Sequence, residues 1–265
     1  MRSTKLIEFK SGDNTLRGLW VDGEVGSKEV VIMLSGFERT AISEKKFKLF
    51  ADKLAEKGVS SFRFDYAGFG ISDGDFSKTT VASMVEDYLN ARKYIEQLGS
   101  NPSIVVAHSL SGCVVASVLK ANIKLEKIVL LSPALNQKDL MRYWFTVNIM
   151  KLINPELTIT WNNFKDYLDE AEFIKDCQKE TRMTKANTIS QSYYLENMNK
   201  DYTFEYKDNL DRVLHVHGDR DGSVPLISLS ASFGNQVVVK GGDHDLERVD
   251  MAKQWVDKCV EFLKN

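Results

Sequence analysis

The amino-acid sequence predicts an α/β fold: a doubly wound, mostly parallel sheet with an N-terminal antiparallel hairpin and an inserted helical segment. Short runs rich in Val, Ile and Leu lack the alternation of apolar and polar residues, as is typical of strands buried on both faces. These runs are Val30–Leu34, Ser61–Phe64, Ile104–Ala107, Ile128–Leu131, Val213–Val216 and Val237–Val239. Helical patterns lie between several of them, and this alternation predicts parallel strands joined by right-handed crossovers.

The remaining elements follow from local signals. Two short strand patterns, Thr4–Lys10 and Thr15–Asp22, flank a polar turn sequence and predict the N-terminal hairpin. Apolar residues at helical spacing predict helices over Ser43–Lys57 and Thr80–Leu98, each followed by a glycine suited to end a helix. A last amphipathic helix is predicted over Met251–Leu263.

The alternation of strands and helices stops after Pro133. Residues 141–206 contain 12 of the 27 aromatic residues of the chain but no convincing core strand. We therefore predict a core formed by residues 1–134 and 208–265, and a helical cap, or lid, formed by residues 135–207. The aromatic side chains of this cap would either line a ligand pocket or form a small core of their own.

Composition excludes several classes of protein. The 265 residues include 35 Lys and Arg and 37 Asp and Glu, so the formal charge of −2 argues against a nucleic-acid or anionic-membrane partner. The chain starts without a signal-peptide pattern, and no apolar run approaches the ~18 residues of a membrane span. Cys113, Cys177 and Cys259 lack CxxC spacing, so we expect a reducing, cytoplasmic location. The oligomeric state is left open, with a homodimer as one option.

The segment around Ser109 carries the first chemical signal. A buried strand leads into this serine, small residues (Ala107 and Ser111) flank it at two positions' distance, and a helical pattern begins at once. This arrangement is typical of a nucleophile elbow, in which neighbouring backbone approaches so closely that only small residues fit. The alternatives are a serine-rich helix N-cap, or Ser111 as the nucleophile.

A serine nucleophile needs a base, and the base needs a carboxylate that orients it. In an elbow-type hydrolase the expected chain order is serine, acid, histidine. The chain has four histidines. His108 precedes the serine, and His215 and His217 lie on a predicted strand, so His244, in the loop after the last predicted strand, is the candidate base.

The strand that contains His215 and His217 raises two further questions. Their spacing could suit a metal, but no third ligand accompanies them, so we expect strand residues that pack or form hydrogen bonds, with no metal and no cofactor. Asp219 and Asp221 follow this strand, and each could orient the base or simply form a turn.

Four segments together resemble the α/β-hydrolases, and among them the small capped serine esterases related to bacterial cinnamoyl and feruloyl esterases. The segments are Leu34–Phe37, Phe62–Gly74, the elbow at Ser109, and His217–Pro225 with Gly241–His244. The resemblance extends over nearly the whole chain except the cap. It implies that Asp221, the later aspartate of the His-Gly-x-x-Asp-x-x-Val-Pro pattern, is the triad acid, with Ser109 as nucleophile and His244 as general base and then general acid.

An oxyanion hole should complete the site. One donor is expected to be the backbone N–H of Leu110, directly after the nucleophile. The resemblance implies that the second is the backbone N–H of Phe37. Ser35 stands where the family usually has a histidine that supports this loop.

The expected function is hydrolysis of a small carboxylic ester with an apolar or aromatic acyl group, through an acyl-enzyme intermediate. A small-molecule ester is the expected partner. The same triad serves thioesterases, C–C bond hydrolases and prolyl-type peptidases, so these remain alternatives within the enzyme class. A non-hydrolytic member of the fold that only binds a ligand is the alternative outside it.

Overall fold

The computed structural model describes residues 3–24 and 28–264. Within them, ten strands form two sheets. The strands are β1 (Thr4–Ser11), β2 (Asn14–Val21), β3 (Glu29–Leu34), β4 (Ser60–Phe64), β5 (Asn101–His108), β6 (Lys127–Leu131), β7 (Thr181–Met183), β8 (Thr188–Ser190), β9 (Val213–Gly218) and β10 (Asn235–Val239).

Helices connect these strands. The α-helices are α1 (Lys45–Glu56), α2 (Val81–Gln97), α3 (Ser111–Lys120), α4 (Gln137–Ile153), α5 (Phe164–Tyr167), α6 (Glu170–Cys177), α7 (Gln191–Asn197) and α8 (Val249–Lys264). Short 3₁₀ segments cover Phe76–Lys78, Thr203–Arg212 and Leu226–Ser228.

The main sheet has eight strands in the order β1-β2-β4-β3-β5-β6-β9-β10. The N-terminal strands β1 and β2 pair with each other in antiparallel fashion, and β2 pairs antiparallel with β4. All other neighbours in this sheet are parallel. The predicted fold class, including the N-terminal hairpin, is confirmed.

Both faces of the sheet are buried. Successive side chains of a strand point to opposite faces, and Val105 and Val106 accordingly belong to different apolar clusters. The cluster of Val106 includes α1 and α8, where Phe50 packs on Trp255 with ring centroids 5.8 Å apart. The cluster of Val105 includes α2 and α3. This two-sided burial explains why the strand sequences are apolar without alternation.

Helices α1 and α2 end where the sequence predicted. Gly58 and Gly99 follow them with φ of +80° and +79°, a left-handed conformation that glycine adopts without steric cost. Helix α2 also begins with a capping box, because the Thr80 and Ser83 side chains each accept a hydrogen bond from the other residue's backbone N–H.

The segment between β6 and β9 contains α4 to α7 and also the two-stranded antiparallel sheet β7-β8. The sequence did not predict this hairpin, because each strand has three residues and only Ile189 among the six is buried. Some aromatic residues of the segment, such as Phe173 and Tyr206, join the cluster of α2 and α3. Across the described part of the chain, no helix is both long and apolar enough to cross a membrane.

Candidate active site

Ser109 lies on a sharp turn between β5 and α3. Its φ is +54°, which is unfavourable for a residue with a side chain and persists only when the surroundings impose it. The Ser109 N–H donates to the Leu131 carbonyl (2.9 Å), while its own carbonyl accepts from Gly112 (3.0 Å) and Ala134 (3.1 Å). These backbone bonds define the strand-to-helix elbow that the sequence predicted.

The residues around the elbow explain the requirement for small side chains. A Cβ added to Gly36, in the loop after β3, would lie 2.9 Å from the Ser109 Cβ. Ser111 is fully buried; its hydroxyl donates to the Ser35 carbonyl and accepts from the Tyr66 hydroxyl (2.8 Å). Because both hydrogen-bonding roles of Ser111 are occupied, Ser109 is the serine available to a substrate.

The loops after β9 and β10 are locked together. Gly218 approaches Gly242 so closely that an added Cβ would lie 2.3 Å from the Gly242 carbonyl oxygen. Asp219 N–H donates to the Val239 carbonyl (3.1 Å), and Arg220 N–H donates to the Gly242 carbonyl (2.9 Å). The loop that contains Asp221 is thereby held against the loop that contains His244.

The structure brings Ser109, His244 and Asp221 into one hydrogen-bonded chain. His244 Nε2 lies 3.0 Å from Ser109 Oγ, and His244 Nδ1 lies 2.7 Å from Asp221 Oδ2. A carboxylate can only accept, so His244 carries its proton on Nδ1 when neutral, which leaves Nε2 as an acceptor for the Ser109 hydroxyl proton.

Asp221 is buried and surrounded by donors. Its Oδ1 accepts the backbone N–H groups of Ser223 (2.9 Å) and Val224 (2.8 Å). Burial alone would raise the pKa of this carboxyl, but hydrogen bonds from His217 and His244 and from the backbone outweigh it and hold the pKa well below its usual range. Asp221 is therefore ionised at neutral pH.

Asp219 has a different environment. It is exposed, and its Oδ1 accepts the Gly241 N–H (2.6 Å), a bond that links the loop after β9 to the loop after β10. Of the two aspartates that the sequence left open, only Asp221 contacts His244.

His215 and His217 form a buried relay behind Asp221. His217 Nε2 donates to the Val224 carbonyl (2.7 Å) and lies 3.3 Å from Asp221 Oδ2, so its Nδ1 accepts from His215 Nε2 (3.0 Å). His215 Nδ1 is in turn an acceptor for the Gln236 amide (3.3 Å). These are hydrogen-bonding strand residues, as expected. Among residues 3–24 and 28–264, no group of three or more His, Cys, Asp or Glu side chains is arranged so that it could hold a metal ion.

His108 has a role that the sequence did not predict. Its Nε2 donates to the His244 carbonyl (2.9 Å), and the two rings lie 4.9 Å apart. Burial, followed by the nearby charges of Lys46 and His244, lowers the pKa of His108 well below its ordinary value, so the ring is neutral. The contact joins residues 136 positions apart. The one sequence signal for it is that His108 directly precedes Ser109.

The two predicted oxyanion-hole residues also lie beside Ser109. Phe37 follows Gly36, whose backbone packs against the serine, and Leu110 directly follows the serine. The Phe37 ring stacks on Tyr193 (ring centroids 4.9 Å apart) and packs edge-on against Phe76 (5.3 Å). Both residues line the same cavity as Ser109 and His244.

This cavity has a volume of about 870 Å³. Phe37 and six aromatic residues of the segment 135–207 line it. The six are Tyr143, Trp144, Phe145, Phe173, Tyr193 and Tyr194. Phe173 and Tyr193 line the cavity and also join the buried cluster of α2 and α3, so these two side chains pack into the main core and not into a separate core of the segment.

Both arginines that line the cavity form ion pairs. Arg39 binds both carboxylate oxygens of Asp245 (2.7 and 2.9 Å). Arg182 forms an ion pair with Asp176 and lies 4.1 Å above the Tyr194 ring.

The elbow, the hydrogen-bonded chain and the doubly wound sheet define an α/β-hydrolase of the serine hydrolase class. The chain belongs to the family Hydrolase_4, described as serine aminopeptidase, S33, whose profile matches residues 26–242. A comparison with curated proteins found no match.

Solved structures share this fold. Est1E from Butyrivibrio proteoclasticus with bound ferulic acid is 19% identical over 97% of this chain and 98% of that one, with a TM-score of 0.73. An esterase from Pyrococcus furiosus is 18% identical over 99% of this chain and 91% of that one (TM-score 0.67). The esterase domain of a Rhodothermus marinus protein is 15% identical over 99% and 98% (TM-score 0.66).

The buried histidine relay predicts a pH-dependent stability. Burial and the neighbouring His217 lower the pKa of His215 to about 3, whereas an unfolded histidine titrates near 6.5. Between these values the unfolded chain binds a proton that the folded chain does not, so stability falls as the pH drops from about 6.5 towards 3.

We expect His215→Gln, which keeps a donor for His217 but cannot titrate, to weaken this dependence. Urea unfolding midpoints of the wild type and the variant at several pH values between 7 and 4 measure it. Equal slopes for the two proteins would contradict the prediction.

Proposed function

We propose that the protein is a carboxylic ester hydrolase that forms an acyl-enzyme on Ser109. The observation that carries the proposal is the continuous hydrogen-bonded chain from Ser109 through His244 to Asp221, at the wall of a cavity lined by aromatic side chains. Ser109 is the nucleophile, His244 the general base and then the general acid, and Asp221 the acid that orients it.

The first half-reaction forms the acyl-enzyme. Ser109 Oγ attacks the ester carbonyl carbon while His244 Nε2 takes the hydroxyl proton, and ionised Asp221 stabilises the resulting imidazolium. The tetrahedral intermediate collapses when its C–O bond to the alcohol breaks, and His244 gives its proton to the departing oxygen. In the second half-reaction His244 activates a water that attacks the acyl carbon, and the same steps release the acid and Ser109.

The developing oxyanion needs donors that are in place before the reaction. We assign this role to the backbone N–H groups of Phe37 and Leu110, which flank Ser109. The loss of one such donor typically lowers turnover by about 10²–10³, so the shape of the loop that contains Phe37 matters more to the rate than its side chains.

An ester with an apolar or aromatic acyl group suits this cavity best. The aromatic wall offers stacking partners, and the ferulic acid bound in Est1E is an aromatic carboxylic acid. A thioesterase or a C–C bond hydrolase would use the same triad and remains the alternative.

The family description raises aminopeptidase activity as a second candidate. An aminopeptidase must bind the substrate's α-ammonium group, for which a free carboxylate is the natural partner. The two carboxylates among the described lining residues are both engaged: Asp245 pairs with Arg39, and Glu38 accepts hydrogen bonds from the turn between β7 and β8. An ester is therefore a better substrate for this cavity than a peptide with a free N-terminus.

Two further proposals concern the setting of the enzyme. Residues 135–207 supply most of the cavity's aromatic wall, which supports their role as a cap on a core formed by residues 1–134 and 208–265.

Cys113, Cys177 and Cys259 are free and buried, which is compatible with a reducing, cytoplasmic location.

The nucleophile assignment is tested with a fluorophosphonate probe. We expect the probe to label the wild type and not Ser109→Ala, because only an activated serine attacks phosphorus at a useful rate. Turnover of p-nitrophenyl esters should disappear in the same variant. Persistent labelling of Ser109→Ala would contradict the assignment, and labelling without turnover of any ester or thioester would favour the ligand-binding alternative.

The acid assignment is tested with a pair of amide variants. Asp221→Asn places an amide opposite His244 Nδ1 and favours the wrong tautomer, so we expect a loss in kcat of roughly 10⁴. Asp219→Asn is the matched control, because its amide oxygen can still accept the Gly241 N–H. Steady-state kinetics compare the two, and a greater loss in Asp219→Asn would reverse the assignment.

A further inference from the structure

The loop that contains Phe37 is tied to the cap by Glu38. One carboxylate oxygen, Oε1, accepts three hydrogen bonds from the turn between β7 and β8: from the Ala186 N–H (3.0 Å), from the Asn187 side-chain amide (2.9 Å) and from the Thr184 hydroxyl. We call this set of bonds the Glu38 clasp. It joins residues 146 to 149 positions apart in the sequence.

The backbone of Glu38 is strained in the conformation that the clasp requires. Its φ is +59°, in the left-handed region that glycine adopts more easily than glutamate. Such a conformation persists only where surrounding contacts impose it. The three bonds to the cap turn are contacts of this kind, and they are strong ones because the acceptor carries charge.

The charge on Glu38 is maintained in the folded protein. Partial burial alone would raise the pKa of this carboxyl, but the donors of the turn outweigh that effect and hold the pKa below its usual value. Glu38 is therefore ionised at neutral pH and accepts charge-assisted hydrogen bonds, which are roughly twice as strong as neutral ones.

On the core side, the same loop is held by two hydrogen bonds. Ser35 Oγ donates to the Arg39 carbonyl (3.1 Å), which closes the loop on itself, and the buried Ser111 donates to the Ser35 carbonyl. These bonds hold the two ends of the loop.

The middle of the loop, where Phe37 lies, is held by the bond from Arg39 N–H to the Gly36 carbonyl (3.3 Å) and by packing against Phe76. From the cap side it is held by the Glu38 clasp and by the stacking of Phe37 on Tyr193.

We propose that Glu38 is a positioning residue for the oxyanion hole: its clasp on the cap turn sets the place of the adjacent Phe37 N–H relative to Ser109. The inference rests on the proposed function, since it assumes that Phe37 supplies an oxyanion donor. Its consequence is that the cap takes part in the chemical step as well as in substrate binding, because the turn 184–187 belongs to the cavity wall and also holds the donor loop.

The chain offers a matched control for the removal of a bond between cap and core. Glu196, on α7 of the cap, accepts the backbone N–H groups of Val81 (2.7 Å) and Ala82 (3.1 Å) at the start of α2. This carboxylate also joins cap to core by hydrogen bonds to backbone N–H groups, but it does not line the cavity. Glu196→Ala therefore removes a cap-to-core attachment of the same kind, whose hydrogen bonds go to α2 and not to the loop that contains Phe37.

The experiment measures kcat and KM for p-nitrophenyl butyrate, and the inhibition constant of a benzyl trifluoromethyl ketone. This ketone forms a hemiketal in which Ser109 Oγ bonds to the carbonyl carbon, the hydroxyl proton passes to His244, and the anionic oxygen enters the oxyanion hole. For Glu38→Ala we expect kcat to fall about tenfold, less than the loss of a whole donor, with a small change in KM. The inhibition constant should rise by the same factor as kcat/KM falls.

Two further variants separate this role from a general loss of stability. Glu38→Gln retains an oxygen acceptor and should recover most of the rate. Asn187→Ala removes a donor from the cap side, and combined with Glu38→Ala it should add little, because both changes break the same clasp. Glu196→Ala should leave both kcat and the inhibition constant close to their wild-type values.

Equal effects of Glu38→Ala and Glu196→Ala on all three constants would overturn the proposal, as would an effect of Glu38→Ala on KM alone. Failure of the proposed function is a different result: turnover would then survive Ser109→Ala. If turnover depends on Ser109 while Glu38→Ala keeps the wild-type kcat and inhibition constant, the role of Glu38 alone is refuted.

Discussion

The hydrogen bond between His244 Nε2 and Ser109 Oγ is the interaction on which the rest of the site depends, and it joins residues 135 positions apart. The parallel order of β5, β6, β9 and β10 makes it possible, because the carboxyl ends of parallel strands meet at one edge of the sheet, where ligands bind in open α/β folds. Close backbone contacts bring the loops at this edge together: Gly36 packs on the elbow, and Gly218 packs on Gly242. Side chains at these glycines would separate the loops that carry Ser109, Asp221 and His244.

The four histidines occupy different places in and around the hydrogen-bonded chain of Ser109, His244 and Asp221. His244 is the one that forms a hydrogen bond with Ser109 Oγ, and its side chain is one-fifth exposed, whereas the other three histidines are buried. His108 holds the backbone of His244, and His215 and His217 form the relay that reaches Asp221. The buried pair of His215 and His217 favours one arrangement, because each of their ring nitrogens has a hydrogen-bond partner. Such support keeps Asp221 charged and His244 in one tautomer before a substrate arrives.

Much of the fold could be read from the sequence because its signals are local. The apolar runs without alternation and the two helix-ending glycines are recognised from neighbouring residues. Ser109 and His244 are each recognised from the strand pattern that precedes them and from their order along the chain. The choice of Asp221 over Asp219 needed the family resemblance, since both follow the same strand. His108, the β7-β8 hairpin and Glu38 could not be predicted, because their roles depend on partners more than a hundred residues away or on strands of three residues.

The mechanism that we propose requires Ser109 to carry the acyl group during turnover. Rapid acid quenching of the wild type with p-nitrophenyl butyrate, followed by peptide mass spectrometry, detects this intermediate. We expect the peptide containing Ser109 to gain the mass of the butyryl group during turnover and to lose it once the substrate is exhausted. Turnover with an unmodified Ser109 peptide, under conditions where release of p-nitrophenol shows a burst, would contradict this mechanism.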